Sequence, residues 1–238
     1  MSEFNRTNSY VNESGDTLQA YITKVFLLMG IGLGITALVA FLSYMSLANG
    51  GFVAQLLANP FTLILLIVAE LGIAIAMSAG ITRFSTGLCR VLFFAYSALT
   101  GITFGVLPMV YGIDTMFVAF IFATVLFVSC AVIGYTTKVD LTRFSGILMA
   151  GLISVVVLSV LSIFIPVLRN NLIIGYLGLL VFLGLTAFDM QRIKSFYYNG
   201  IEGEMKENLA VFGAFELYLD FINILLRVLQ ILGSRNNN

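Results

Sequence analysis

The chain is 238 residues long, 60% hydrophobic and 10% charged, with a formal net charge of zero and no histidine. A soluble domain carries roughly 25% charged residues and is less than half apolar, so this surplus implies lipid as the solvent. Balanced charge without long basic runs leaves no electrostatic footprint for nucleic acid, and the missing histidine excludes Ser-His and Cys-His nucleophiles, HExxH zinc sites and histidine proton relays.

The first twenty residues, MSEFNRTNSYVNESGDTLQA, are polar. They read as a flexible cytoplasmic tail, 1–20, without a cleavable signal peptide. Residues 21–238 then form one transmembrane domain. A bilayer core is crossed by about 20 apolar helical residues, and seven stretches qualify: 25–47, 61–81, 91–111, 116–135, 146–167, 172–188 and 209–232. The fold class is therefore all-α and polytopic, with seven transmembrane helices. The connections are short, except for a charged segment at 190–208.

Orientation follows from the cations. With the N-terminus inside, Arg6, Lys24, Arg83, Arg90, Lys138, Arg143, Arg192, Lys194 and Lys206 are cytoplasmic, and Arg169, Arg227 and Arg235 lie outside. The positive-inside rule then gives N-in and, with seven spans, C-out. A multi-pass protein of a bacterial inner or plasma membrane is expected. Gly30, Gly32 and Gly34 in the first span and Gly175, Gly178 and Gly184 in the sixth read as packing glycines. Pro60, Pro108 and Pro166 lie near span ends, where a missing N–H costs little. Cys89 and Cys130 read as small buried hydrophobes rather than a disulfide or metal ligands.

Ionisable groups deep in a span cost about 2.5–3.5 kcal/mol on insertion scales, so each is a functional candidate. Glu70, Asp189, Glu216 and Asp220 meet that test, and Arg227 lies close enough to the outer end to snorkel. Glu216, Asp220, Asn223 and Arg227 are spaced four, three and four apart, which sets them on one stripe of the seventh helix. A polar stripe in lipid must turn inward. A purely structural reading pairs Asp220 with Arg227, or Glu216 with Asn223, within that helix. Asp189, in FLGLTAFDMQRIK, reads equally as a helix-end charge beside Arg192. Glu70 has no cation within a turn, so it either carries a proton or is paired across helices.

The stretches GYTTKVDLTRF (134–144), FLGLTAFDMQRIK (182–194) and LYLDFINILLRVL (217–229) resemble the Bax inhibitor family of membrane proteins, most closely its bacterial members. The resemblance runs from about residue 18 to 233 and includes SALTG (97–101). It implies seven helices with the C-terminal one enclosed by the other six. It also implies an aspartate on each of the sixth and seventh helices, acting as a proton-sensitive latch on a calcium leak; the matching positions are Asp189 and Asp220. A membrane-end arginine that engages this latch in some relatives has no firm counterpart, since Arg83 aligns only loosely. Arg192 and Arg227 are further candidate charge partners. Glu216 is not a family signature.

Two carboxyl groups about a hydrogen bond apart share a proton and titrate as a pair. Ionised, they are hard oxygen ligands suited to calcium, so proton and calcium compete for Asp189 and Asp220. The expected partners are thus the lipid bilayer, calcium and protons, with no further cofactor. The sixth and seventh helices meet at these positions only if the sixth continues past Asp189 through Arg192 and Lys194, and MQRIKSFYY contains no helix breaker.

Two other classes lack a residue pattern they require. Intramembrane aspartyl proteases also place aspartates on two adjacent helices, but their GxGD motif is absent, because Leu217, Tyr218 and Leu219 precede Asp220. A retinal protein needs a lysine in its seventh span, and there is none. No enzyme is expected. The alternative is a membrane-embedded regulator or interaction protein, of a membrane protease or a cell-death or stress pathway, receiving its partner on residues 1–20 or 195–208.

Overall fold

The computed structural model describes residues 17–165 and 172–236. In chain order the helices are α1 (Leu18–Ala48), α2 (Phe52–Ala58), α3 (Pro60–Gly80), α4 (Thr86–Phe104), α5 (Leu107–Tyr111), α6 (Ile113–Thr136), a 3-10 turn (Leu141–Phe144), α7 (Ser145–Phe164), α8 (Leu172–Tyr198) and α9 (Gly203–Asn236). Among the described residues there is no strand. Six helical segments are long and apolar enough to cross a membrane, with α4 and α5 counted as one. The remaining helix, α3, has a shorter apolar part at Ile64–Gly80, but its 21 residues rise about 31 Å, which spans a hydrocarbon core. The expected seven spans correspond to these elements.

Local chemistry sets the helix starts. Thr17 caps α1 by accepting from the Ala20 amide at 3.2 Å, so Leu18–Ala20 belong to the helix rather than to the expected tail. The rest of that tail, residues 1–16, lies outside the described residues, as do Pro166 and Arg169. Asn59 caps α3, with Pro60 in its first turn, where its missing N–H has no partner to lose. Asp140 accepts from both the hydroxyl and the amide of Thr142, and these donors hold its carboxyl below the ordinary carboxylate range.

The connection expected at 190–208 is mostly helix. Only residues 199–202 break it, between Gly200 and Gly203, whose positive φ values of 65° and 64° suit glycine and reverse the chain in one turn. The helical α2 and α5 were not expected. Both are short, and each sits inside what periodicity reads as a loop or the end of a span.

α9 is the axis. It packs against α1, α4, α6 and α8, and 72% of its apolar window is buried, against 6% for α7. Lipid offers helices no hydrophobic drive to associate, so shape and small residues decide the packing. Gly134 of α6 lies against the backbone of Ala187 on α8, where a Cβ would collide. Gly32 of α1 packs under Phe93, whereas Gly30 and Gly34 have open space around them and pack nothing. Those two expected packing glycines are corrected accordingly; the spacing of small residues does not say which face meets protein. Around α9, Phe93 and Tyr96 of α4 meet Phe215 and Tyr218 edge-on at 5.1–6.0 Å. Phe120 and Phe127 of α6 hold Phe221 in the same way, at 5.6 and 5.7 Å. Each such pair adds about 0.5–1.5 kcal/mol beyond area burial.

One rim of the bundle gathers the charges. Glu207 of α9 bonds both Lys24 of α1 and Arg90 of α4. Asn208 donates to the carbonyls of Ile81 and Phe84 and accepts from Thr86. Gln191 of α8 ties Val139 and Leu141 at 2.8 Å each, and Lys194 reaches the Tyr135 carbonyl at 2.9 Å.

Candidate functional site

α8 runs unbroken past Asp189 through Arg192 and Lys194 to Tyr198. Asp189 is therefore not a helix-end charge. Nothing in MQRIKSFYY opposes helix, and its cations reach the polar rim. This continuation lays Asp189 against Asp220 of α9. Their carboxyl groups lie within hydrogen-bonding reach of each other, with the Thr186 hydroxyl beside Asp220. Both aspartates are buried, at 8% and 4% exposure. The Thr186 hydroxyl donates to the Phe182 carbonyl, and no N–H or O–H donor among the described residues reaches Oδ2 of Asp220.

One turn away from the pair, Glu216 accepts from Nη1 of Arg192 at 2.8 Å through Oε1. Its Oε2 is buried without a partner among the described residues. The Arg192 guanidinium lies 5.4 Å from the Phe196 ring centre and 5.8 Å from that of Phe212, a cation–π seat that holds it at the seam. The charge of Glu216 is felt by Asp220, that of Asp189 by Glu216 and Asp220, and that of Arg192 by both Asp189 and Glu216. From α6, Cys130 is close enough to feel Asp220. Three carboxyl groups and one guanidinium thus share the α8–α9 seam.

The pairings considered within α9 do not form. Asn223 donates to the Leu219 carbonyl at 2.8 Å, and Arg227 bonds Gln230 and Ser159, because each side chain has a nearer acceptor than the carboxylate a turn or two away. Arg83 sits exposed in the α3–α4 turn, in none of the ion pairs among the described residues. Glu70 lies apart from the three carboxyls, close enough to act on Tyr96 and Tyr218, with a buried Oε1 that has no partner among the described residues.

Sequence reading missed Thr186, three residues before Asp189 and so on its face of the helix. It also missed a hydroxyl cluster near Glu70. There Thr36 of α1 shares a 2.7 Å hydrogen bond with the Tyr218 hydroxyl and donates to the Ser97 carbonyl at 2.9 Å. Tyr218 sits inside LYLDFIN, but a tyrosine in an apolar helix gives no signal until its hydroxyl partner is known.

As for the expected calcium ligands, no group of three or more acidic or other ligating side chains among the described residues has the arrangement to hold a metal ion.

Comparison with known proteins places this seam in context. The family model described as Inhibitor of apoptosis-promoting Bax1 matches residues 18–237. The chain belongs to the Bax inhibitor family. Within that family it is 37% identical over 239 residues to the inner membrane protein YbhL of Escherichia coli, covering 99% of this chain and all of that one. A protein of Borreliella burgdorferi is 35% identical over 219 residues, covering 92% and 93% of the two chains. A membrane protein of Streptococcus pyogenes is 32% identical over 219 residues, covering 92% and 94%. As a Bax inhibitor family member this chain is a multi-pass membrane protein, and the stretches FDMQRIK and ELYLDFIN build its acidic seam.

Proposed function

We propose that this protein is a pH-sensitive calcium leak of a bacterial inner membrane, with its N-terminus and cation-rich rim in the cytoplasm, gated by the Asp189–Asp220 pair. The observation that carries this reading is the approach of two buried carboxyl groups on adjacent helices, with no donor for Oδ2 of Asp220 among the described residues. Two carboxylates in such contact repel unless a proton lies between them. Sharing it holds α8 to α9; losing or gaining it changes that contact, at about 1.4 kcal/mol per pK unit of difference between the two states. The charged groups facing the pair are Arg192 and Glu216, which already neutralise one another in part.

Calcium enters as cargo. A resident calcium ion takes about 6–8 oxygens, and two carboxyls with one hydroxyl fall short of that, which suits brief occupancy during passage. The decisive experiment is calcium flux into proteoliposomes across pH. Asp189→Asn and Asp220→Asn should each flatten the pH dependence, and the double variant should match either single one. Additive effects would reject the shared proton.

A further inference from the structure

Beyond the acidic end, the α8–α9 seam carries one more charge, and it is positive. Arg227 lies seven residues past Asp220 on α9, a rotation of about 700°, so both project from the same face. The segments 172–188 of α8, 145–164 of α7 and 221–233 of α9 contain no other Asp, Glu, Lys or Arg. The guanidinium crosses α8 at Gly178, where a Cβ would meet Nε at 2.8 Å. It then donates through Nη2 to Ser159 of α7 at 3.0 Å and through Nη1 to Gln230 at 3.1 Å. Both acceptors are neutral. No carboxylate pairs with it among the described residues, and its Nε is buried without a partner there. The glycine makes room for a cation that nothing nearby discharges.

We infer that Arg227 is the electrostatic barrier of the pathway, a fixed positive charge that limits cation passage at the end of the seam opposite the aspartates. The inference rests on the ion-pathway reading above. Repulsion from a fixed charge scales with the valence of the passing ion. Removing the charge therefore favours a divalent cation by the square of the factor by which it favours a monovalent one. A merely loosened bundle would favour both equally.

The test uses full-length protein in proteoliposomes at one pH, with calcium and potassium fluxes measured on the same preparations. Arg227→Gln should raise calcium flux by about tenfold or more and potassium flux by about the square root of that factor. Arg227→Lys should stay near wild type. Ser159 is exposed, so Ser159→Asp sets a carboxylate against an intact Arg227 and should reproduce the rise even if Arg227→Gln does not fold; Ser159→Asn should not. Equal gains for the two ions, or no gain in either charge-neutralising variant, would overturn the barrier. Asp220→Asn runs alongside. If it leaves wild-type flux unchanged at every pH, the aspartate-gated reading fails, while the calcium-to-potassium ratio of Ser159→Asp still decides the role of Arg227.

Discussion

Arg192 and Glu216 join α8 to α9 through a single 2.8 Å ion-paired hydrogen bond, and only one of the two carboxylate oxygens takes part. The glutamate side chain is 15% exposed and the arginine 40%, so solvent screens the pair from one side only. Breaking such a charge-assisted bond costs about 1.5–3 kcal/mol when buried, and less with this exposure. Glu216→Gln and Arg192→Gln should each lower the thermal midpoint in detergent by a few degrees. The double variant should lose little more than either single one, because the second change removes a partner already lost. Additive losses would mean that each residue is held by something other than its partner.

The Glu207 clasp should behave as a surface network. It draws Lys24 and Arg90 together at the rim, with all three side chains about a third to two-fifths exposed. Exposed pairs contribute about 0.2–1 kcal/mol each and are screened by salt. Glu207→Gln should therefore destabilise by about 1 kcal/mol in low salt, with the gap narrowing as ionic strength rises. A gap unaffected by salt would show that the carboxylate is held by packing rather than by charge.

Glu70 is in no ion pair among the described residues and stands with Tyr96 and Tyr218 away from the aspartates. Glu70→Gln keeps its shape and removes its charge. The variant should fold normally and leave the pH dependence of flux largely intact. Loss of flux in a well-folded variant would move Glu70 into the ion pathway.

The rim that holds Lys24, Arg90, Lys138 and Lys194 fixes the proposed orientation. In a background lacking Cys89 and Cys130, an impermeant thiol reagent added outside should modify Asp114→Cys, at the opposite end of α6, but reach Lys138→Cys only after permeabilisation. Both positions are exposed. The reverse pattern would invert the topology. The same experiment with Asn170 would test a segment outside the described residues.

What could be read from the chain follows from how lipid constrains it. Long apolar runs with few charges leave little choice but helices across a bilayer, so the existence and order of the spans were legible, while polar and charged helix ends such as 189–198 and 203–208 lay beyond the apolar runs. The stripe from Glu216 to Arg227 was legible as well, because polar groups four, three and four apart can share only one face. Their partners were not. Glu216 turns to Arg192, Arg227 to Ser159, and Asn223 to its own backbone, and each choice depends on which helix lies opposite. Gly30 and Gly32 illustrate the same limit: identical residues two apart, one facing open space and the other Phe93. The length of α8 was legible from the lack of a breaker, and it is what brings Asp189 to Asp220.

The helix that completes the bundle is the last to be made. α9 begins at Gly203, and at about 5–20 residues per second a ribosome needs roughly 10–40 s to reach it. Thr36 and Ser97 are made long before the Tyr218 hydroxyl that Thr36 bonds, whereas Thr186 precedes α9 by only 17 residues. The aspartate pair comes into existence only once α9 joins α8, since its two members lie on different helices.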